Sequence, residues 1–327
     1  MSSAALIGPF QRRIAYLRLS VTDFCNYRCV YCLPEGYQGC AAPDELSLAE
    51  IETLVRAFAE SGTEKIRLTG GEPTMRRDIV EIAQICAAQA GIKKVAITTN
   101  AHRLDKLYRP LIDAGIAQFN ISVDSFREET FRRMTGKNSL AGILQAVEKM
   151  LGEGFRHIKL NALLMRETAS ETLADTLAFV KERPLTMRFI ELMRTNDNTA
   201  LYEKSHISAA EITQMLLAEG WVLRERTPLS GPALEFSHAD YAGGIGIIAP
   251  YSKDFCSSCN RLRVTSTGKM HLCLFDSINY DLRDYLRAGD VQGLKAQLQR
   301  LIAVKPASHQ LHSNDSGIMA HLAQIGG

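Results

Sequence analysis

From residue 14 to about 193, short aliphatic and β-branched runs alternate with longer amphipathic stretches. The short runs are "IAYLRLSV", "KIRLTG", "KVAITTN", "AQFNISVD", "HIKLNALL" and "TMRFIEL". Between them lie segments such as "SLAEIETLVRAFAESG", "DIVEIAQICAAQAG" and "ETLADTLAFVKER", with apolar residues at helical spacing. Strand and helix in alternation predict βαβ units on a parallel sheet, joined by right-handed crossovers. Six units are too few for the usual eight-stranded closed barrel. An open doubly wound sheet and an incomplete barrel both fit, and periodicity does not choose between them. Either places ligands at the carboxyl ends of the strands.

After residue 194 the rhythm changes. A polar linker, "RTNDNTALYEKSH", leads to a helix near 208–219. Strand-like runs "WVLRERT", "GIGIIAP", "RLRVTS" and "KMHLCLF" follow, then helical segments near 281–288 and 291–303. The expected division is an α/β unit over 8–193 and a smaller α+β domain over 194–327.

Composition narrows the class. The 327 residues are 46% hydrophobic and 23% charged, with a net charge of +2, which reads as an ordinary globular protein. Nothing in that balance points to nucleic acid. No run approaches the ~20 apolar residues of a membrane span, and the amino terminus lacks a secretory pattern. The expected location is the cytosol, where closely spaced thiols mean metal or catalysis more often than disulfides.

The strands themselves carry polar residues. Arg18, Arg67, Thr98, Ser122 and Lys159 each interrupt a different apolar run. Arginines in buried strands are costly unless they meet anions. Pairing with acids such as Asp23 or Glu72 is the plain explanation. Five such residues on successive strands favour a ligand.

Six of the eight cysteines form two triads, Cys25/Cys29/Cys32 in "CNYRCVYC" and Cys256/Cys259/Cys273 in "CSSCNRLRVTSTGKMHLC". Cys86 sits on a helical pattern and reads as core packing. Cys40 stands alone in a loop and receives no role. Thiolates suit zinc or iron–sulfur clusters. Three cysteines on a four-iron cluster leave one iron open to an exogenous ligand, whereas a structural zinc needs a fourth side chain. His271, two residues before Cys273, is the zinc alternative for the second triad. Arg261 and Arg263 inside that loop favour an anionic ligand beside the metal. Downstream of the first triad, "TGGEP" offers Gly70 and Gly71 for close backbone approach and Pro73 for a turn.

C-x3-C-x2-C with Tyr31 before its last cysteine, followed by GGEP, resembles the radical S-adenosylmethionine (SAM) superfamily. That resemblance implies a partial (βα)6 barrel of the TIM type with a smaller C-terminal α+β domain. It also implies a 4Fe-4S cluster on Cys25, Cys29 and Cys32, with SAM on the open iron. "RLSVTDFCNYRCVYC", "IRLTGGEPTMRRD", "RFIELM", "FCSSCNRLRV" and a terminal Gly-Gly occur together in the GTP 3′,8-cyclases of molybdenum-cofactor biosynthesis, and the likeness runs from about Phe10 to Gly327.

What this narrower resemblance implies is a lyase with a second 4Fe-4S cluster on Cys256, Cys259 and Cys273, whose open iron takes the guanine of GTP. Arg18, Arg67, Thr98, Lys159, Arg261, Leu262 and Arg263 match GTP contacts. Tyr31, Gly71, Ser122 and Met193 match SAM contacts, and Lys65 and Arg188 are further phosphate candidates. No side chain is singled out as a catalytic acid or base. Ala101 departs from the family, which often has Gly after "TTN". The implied partners are GTP, an external one-electron donor and a downstream cyclic pyranopterin monophosphate synthase. Similar proteins are often homodimers, although the sequence marks no interface. The Gly326-Gly327 tail is similar to one that enters the active site. A peptide-modifying radical SAM enzyme and a non-enzymatic zinc protein are the competing readings.

Overall fold

The six apolar runs become six strands of the computed structural model, which describes residues 5–39, 44–227, 229–276, 278–313 and 315–317. In chain order these are β1 (Tyr16–Ser20), α1 (Leu48–Glu60), β2 (Lys65–Thr69), α2 (Ile79–Ala88), β3 (Lys94–Thr99) and α3 (Leu104–Asp113). Then come β4 (Ile116–Ser122), α4 (Glu128–Thr135), α5 (Leu140–Gly152), β5 (Ile158–Leu164), α6 (Ala169–Lys181) and β6 (Thr186–Glu191). Cys40 and the Gly326-Gly327 tail lie outside the described residues.

The later chain forms α7 (Thr199–Ser205), α8 (Ala209–Ala218), β7 (Val222–Leu223), β8 (Leu234–Ser237) and β9 (Gly244–Ile248). It ends with β10 (Arg261–Val264), β11 (Lys269–His271), β12 (Tyr280–Asp281), α9 (Arg283–Arg287) and α10 (Val291–Ile302). The stretch expected as a polar linker contains α7. That helix buries only Ser205 and so has no apolar stripe to announce it.

Strand order decides what periodicity left open. The sheet runs β12-β11-β10-β1-β2-β3-β4-β5-β6-β9-β8-β7. β1 to β6 are parallel and follow chain order without a switch point. Right-handed crossovers between sequential parallel strands put every helix on one face, and the sheet curls around the other. The result is a barrel-type α/β sheet rather than a doubly wound one. β10 adds parallel to β1, and β9 adds parallel to β6. The residues after 194 therefore extend this same sheet at both edges, with antiparallel β11–β12 and β8–β7 outside them.

Alternation along the strands separates two environments. Leu17, Leu19, Ile66, Leu68, Val95, Ile97, Phe119, Ile121, Leu160, Met187 and Phe189 are almost fully buried and join Ile51, Leu54 and Phe58 of α1 and Ile79 and Ile82 of α2 in one core. Burying each such side chain contributes roughly 1.5–3 kcal/mol. Cys86 lies in this core, as its helical setting predicts. Helix α1 begins at a capping box: Ser47 Oγ accepts from Glu50 N at 3.3 Å, and Glu50 Oε2 accepts from Ser47 N at 2.8 Å. Glu50 also accepts from Arg283 Nε at 2.6 Å, which ties α1 to α9. The residues between the apolar ones face the barrel interior, and there the polar side chains collect.

Candidate active site

The first triad sits on the loop after β1. A tight turn at Cys29, whose carbonyl accepts from Cys32 N and Leu33 N at 3.0 Å each, turns the thiols inward. The loop docks on α4, with Arg28 N donating to Thr135 O at 3.1 Å and Val30 N to Met134 O at 3.0 Å. The glycine turn after β2 packs against it from the other side. Gly71 N donates to Thr22 O at 2.9 Å, and Glu72 N to Phe24 O at 2.8 Å. A Cβ on Gly71 would lie 2.3 Å from Phe24 O, and one on Gly70 (φ +143°) 2.2 Å from Thr22 O. Glycine is required at both positions by this contact.

Glu72 is wholly buried and accepts from Thr74 N (3.0 Å), Thr99 Oγ1 (2.6 Å) and Asn100 N (2.6 Å). It clamps the turn after β2 to the loop after β3. Asp23 accepts from Ser266 Oγ at 2.7 Å. Both acids are engaged by groups other than the strand arginines, so they do not explain those cations. Ala101, where the family often has Gly, adopts φ +62°, the left-handed conformation that glycine reaches without strain. The loop keeps that shape with Ala101 N bonded to Thr99 Oγ1 at 2.9 Å.

Cys25, Cys29 and Cys32 line one cavity together with Tyr31, Gly71, Thr98, Ser122 and Met193. All four side chains and backbone positions expected at SAM thus share a wall with all three thiols. Tyr31 donates to Asp124 Oδ2 at 2.8 Å, and Asp124 also accepts from Leu163 N at 3.0 Å. Burial raises the Asp124 carboxyl to about 6. Burial also pushes the Cys25 thiol up to about 11 and the Cys29 thiol well up, the latter with help from Asp124, Cys32 and Cys25. Asp124 and Asn161 were not foreseen as part of this site. The alternation in "SVD" and "KLNALL" was the available signal.

A second cavity is lined by Tyr16, Arg18, Arg67, Thr98, Asn161, Arg188, Ile190, Met193, Arg261 and Arg263, with Phe255 and Leu274. Register explains the convergence: Arg18 stands opposite Arg67 on β2 and Arg263 on β10, and Tyr16 opposite Lys65 and Arg261. Burial, and next to it Arg263, holds the Arg18 guanidinium well below its usual range. Burial lowers Arg188 and Arg263 to about 10 each. Arg188 donates to Asn161 Oδ1 at 2.9 Å and to Asn120 Oδ1 at 2.6 Å. Arg67 donates to Thr98 Oγ1 at 3.2 Å, while its buried Nε has no hydrogen-bond partner among the described residues. Like charges gathered out of water fit a polyanion.

Tyr16 lies among these cations, with Lys65 Nζ 4.7 Å from its ring centre and the Arg67 guanidinium 5.8 Å away. Burial alone would raise its phenol, but Arg67, Lys65, Arg18 and Arg261 bring it down to about 7. Lys65, lowered by burial to about 8, donates to Leu229 O at 2.9 Å. Leu262 is fully buried and belongs to the core, on the side of the sheet away from the cavity. Of the "RLR" run only Arg261 and Arg263 present side chains to the cavity. Lys159 lies on neither cavity's wall and pairs with Glu235 on β8.

The two cavities share Thr98, Asn161, Ile190 and Met193. Met193 also packs against Phe275 and Leu311 of the later chain. The second triad lies at the far side of the arginine cavity, since Phe255 and Leu274 on its wall adjoin Cys256 and Cys273 in sequence. Cys259 N donates to Cys256 O at 3.1 Å. Burial would raise the Cys259 thiol, but Arg261 and Lys305 draw it down to about 6, whereas burial raises Cys256 and Cys273. Arg12 braces this loop, donating to Cys256 O at 3.3 Å and Pro306 O at 2.7 Å. His271 stands opposite Arg263 on the ladder, with Asp276, Arg263 and Lys269 as its electrostatic neighbours. Among the described residues no three His, Cys, Asp or Glu groups close on a single metal-ion position. The donor set suits an iron–sulfur cluster, whose cysteines bind different irons and need not meet at one point.

Fold and site together define a barrel-type α/β protein with a thiol-lined cavity opening onto a cationic one. The Radical SAM superfamily profile matches residues 19–180, and the Molybdenum Cofactor Synthesis C profile matches residues 185–311. A GTP 3′,8-cyclase of Actinobacillus pleuropneumoniae serotype 5b is 48% identical over 98% of this chain and 95% of its own. One from Haemophilus influenzae is 45% identical over 100% of this chain and 98% of its own. The chain belongs to the GTP 3′,8-cyclase family. Its fold is similar to that of Streptococcus suis SuiB bound to the precursor peptide SuiA, with a TM-score of 0.57, 14% identity, and coverage of 87% of this chain and 66% of that one.

Proposed function

We propose that this chain is a radical SAM GTP 3′,8-cyclase of molybdenum-cofactor biosynthesis, a lyase that converts GTP to 3′,8-cyclo-7,8-dihydro-GTP. The observation that carries this reading is the shared wall of the thiol-lined and arginine-lined cavities. Cys25, Cys29 and Cys32 hold the first 4Fe-4S cluster. Tyr31, Gly71, Ser122 and Met193 line the SAM position. When bound, cluster and SAM supply one-electron chemistry able to remove a hydrogen from the ribose. Cys256, Cys259 and Cys273 hold a second 4Fe-4S cluster, near which the guanine is anchored.

The protein's own part is positioning and charge. Arg18, Arg67, Arg188, Arg261 and Arg263 hold the nucleotide from four different strands, with Lys65 and Lys159 at its phosphate end. With the base fixed near one triad and the reactive group held at the other, the ribose lies at the common wall of Thr98, Asn161 and Met193. Fixing both reactants in this way converts a two-body encounter into a positioned one. The apolar side chains of Ile190 and Met193 keep water from that wall. An external one-electron donor completes the reaction.

The test is anaerobic turnover of the iron-reconstituted full chain. Formation of 5′-deoxyadenosine should depend on GTP and match the cyclised nucleotide one to one by mass spectrometry. Equal 5′-deoxyadenosine with and without GTP would overturn the substrate assignment.

A further inference from the structure

A third cavity, of about 290 Å³, opens at the amino ends of β3 to β6, and Lys94, Gln118, Lys159, Thr186, Arg224 and Glu235 are on its wall. Among the described residues Glu235 is the single carboxylate on that wall. It comes from β8, two strands away from β6, yet it bonds Lys159 of β5.

Two glycines of β9 make that reach feasible. Gly246 stands opposite both Glu235 and Arg188, and a Cβ there would lie 2.6 Å from Arg188 Cγ. A Cβ on Gly244 would lie 3.9 Å from both the Arg224 Cζ and Thr186 Oγ1. The missing side chains leave a trough across β9, through which the cations of β5 and β6 meet the acid of β8. Burial would raise the Glu235 carboxyl, but Lys159, then Arg188 and Arg224, hold it below the usual carboxylate range, so it is ionised. Among the described residues the second cavity has no acid on its wall.

A lone acid in a wall built to attract phosphates opposes the ligand unless it gives way. We propose that Glu235 is a displaceable counter-ion of Lys159, and that the terminal phosphates of the nucleoside triphosphate take its place on binding. This makes Glu235 a specificity-determining residue: a ligand must bring enough negative charge to break the Lys159–Glu235 pair. The inference rests on the proposed GTP site and adds a residue to it.

The test compares GTP and guanosine binding to the anaerobic, iron-reconstituted full chain by calorimetry. Glu235→Gln keeps the shape and removes the charge. It should tighten GTP on the order of fivefold, the weight of one partly exposed ion pair, and leave guanosine unchanged. Glu235→Asp keeps the charge and should bind GTP as the parent does. Unchanged or weaker GTP binding by Glu235→Gln, or an equal shift for guanosine, overturns the role of Glu235. Parent protein that binds guanosine as tightly as GTP overturns the underlying phosphate site instead.

Discussion

Arg67 acts on many of the interior's cations, and replacing it by Met should separate stability from binding. Its charge depresses Arg18, Lys65, Lys94, Lys159 and Arg188, in each case beside the larger effect of burial. Its buried Nε has no partner among the described residues, a defect worth roughly 1–3 kcal/mol. Without nucleotide, Arg67→Met should therefore be more stable by about 1–3 kcal/mol. Removing one charge-assisted contact to a phosphate should cost about 1.5–3 kcal/mol of binding, roughly 10- to 150-fold in Kd.

With GTP at about 100 times the parent Kd, the parent gains about 2.7 kcal/mol; a variant binding about 30-fold more weakly gains about 0.9 kcal/mol. Anaerobic scanning calorimetry of both proteins, with and without GTP, reads this directly. The variant should melt higher alone, and added GTP should bring the two transitions together. A variant that melts below the parent without GTP, or keeps the full GTP-induced shift, refutes the reasoning.

Gly71→Ala forces a methyl to within 2.3 Å of Phe24 O, so the two loops must part; SAM binding should be lost while far-ultraviolet circular dichroism is unchanged, and retained SAM affinity would contradict the tight contact. Cys29→Ala and Cys259→Ala should each halve bound iron and sulfide, with only Cys29→Ala abolishing SAM cleavage; full iron content in either variant removes that triad from the cluster assignment. Stability should rise with pH above about 7, because folded Tyr16 gives up its proton near 7 and folded Lys65 near 8, while the unfolded chain holds both protons to about 10. The slope should flatten in Tyr16→Phe when denaturation is followed between about pH 7 and 9, and identical slopes would show that the phenol stays protonated.

The strands and most helices were legible because a two-residue period and a 3.6-residue period are hard to confuse over these lengths. The choice of barrel over doubly wound sheet was not legible in the periodicity, which does not encode strand order; it came from the likeness of the C-x3-C-x2-C and GGEP motifs to radical SAM enzymes. The first triad and the glycine turn were legible as chemistry because the contact lies within one βα step. Lys159 was read as part of the interior set, yet its partner Glu235 lies 76 residues downstream on a strand that composition did not flag. Leu262 shows the converse limit: a motif names three consecutive residues, but alternation on β10 turns the middle one into the core. His271 was a fair zinc candidate by spacing, and its place on β11 opposite Arg263 follows only from the ladder.

The strand that opens the barrel, β1, takes its outer neighbour from residues 261–264. On the ribosome, at roughly 5–20 residues per second, β1 waits on the order of 10–50 s for that neighbour to emerge. Through this interval its polar edge is exposed. The nascent chain is therefore most open to strand mispairing before it can bind any nucleotide, and folding factors have their natural window there.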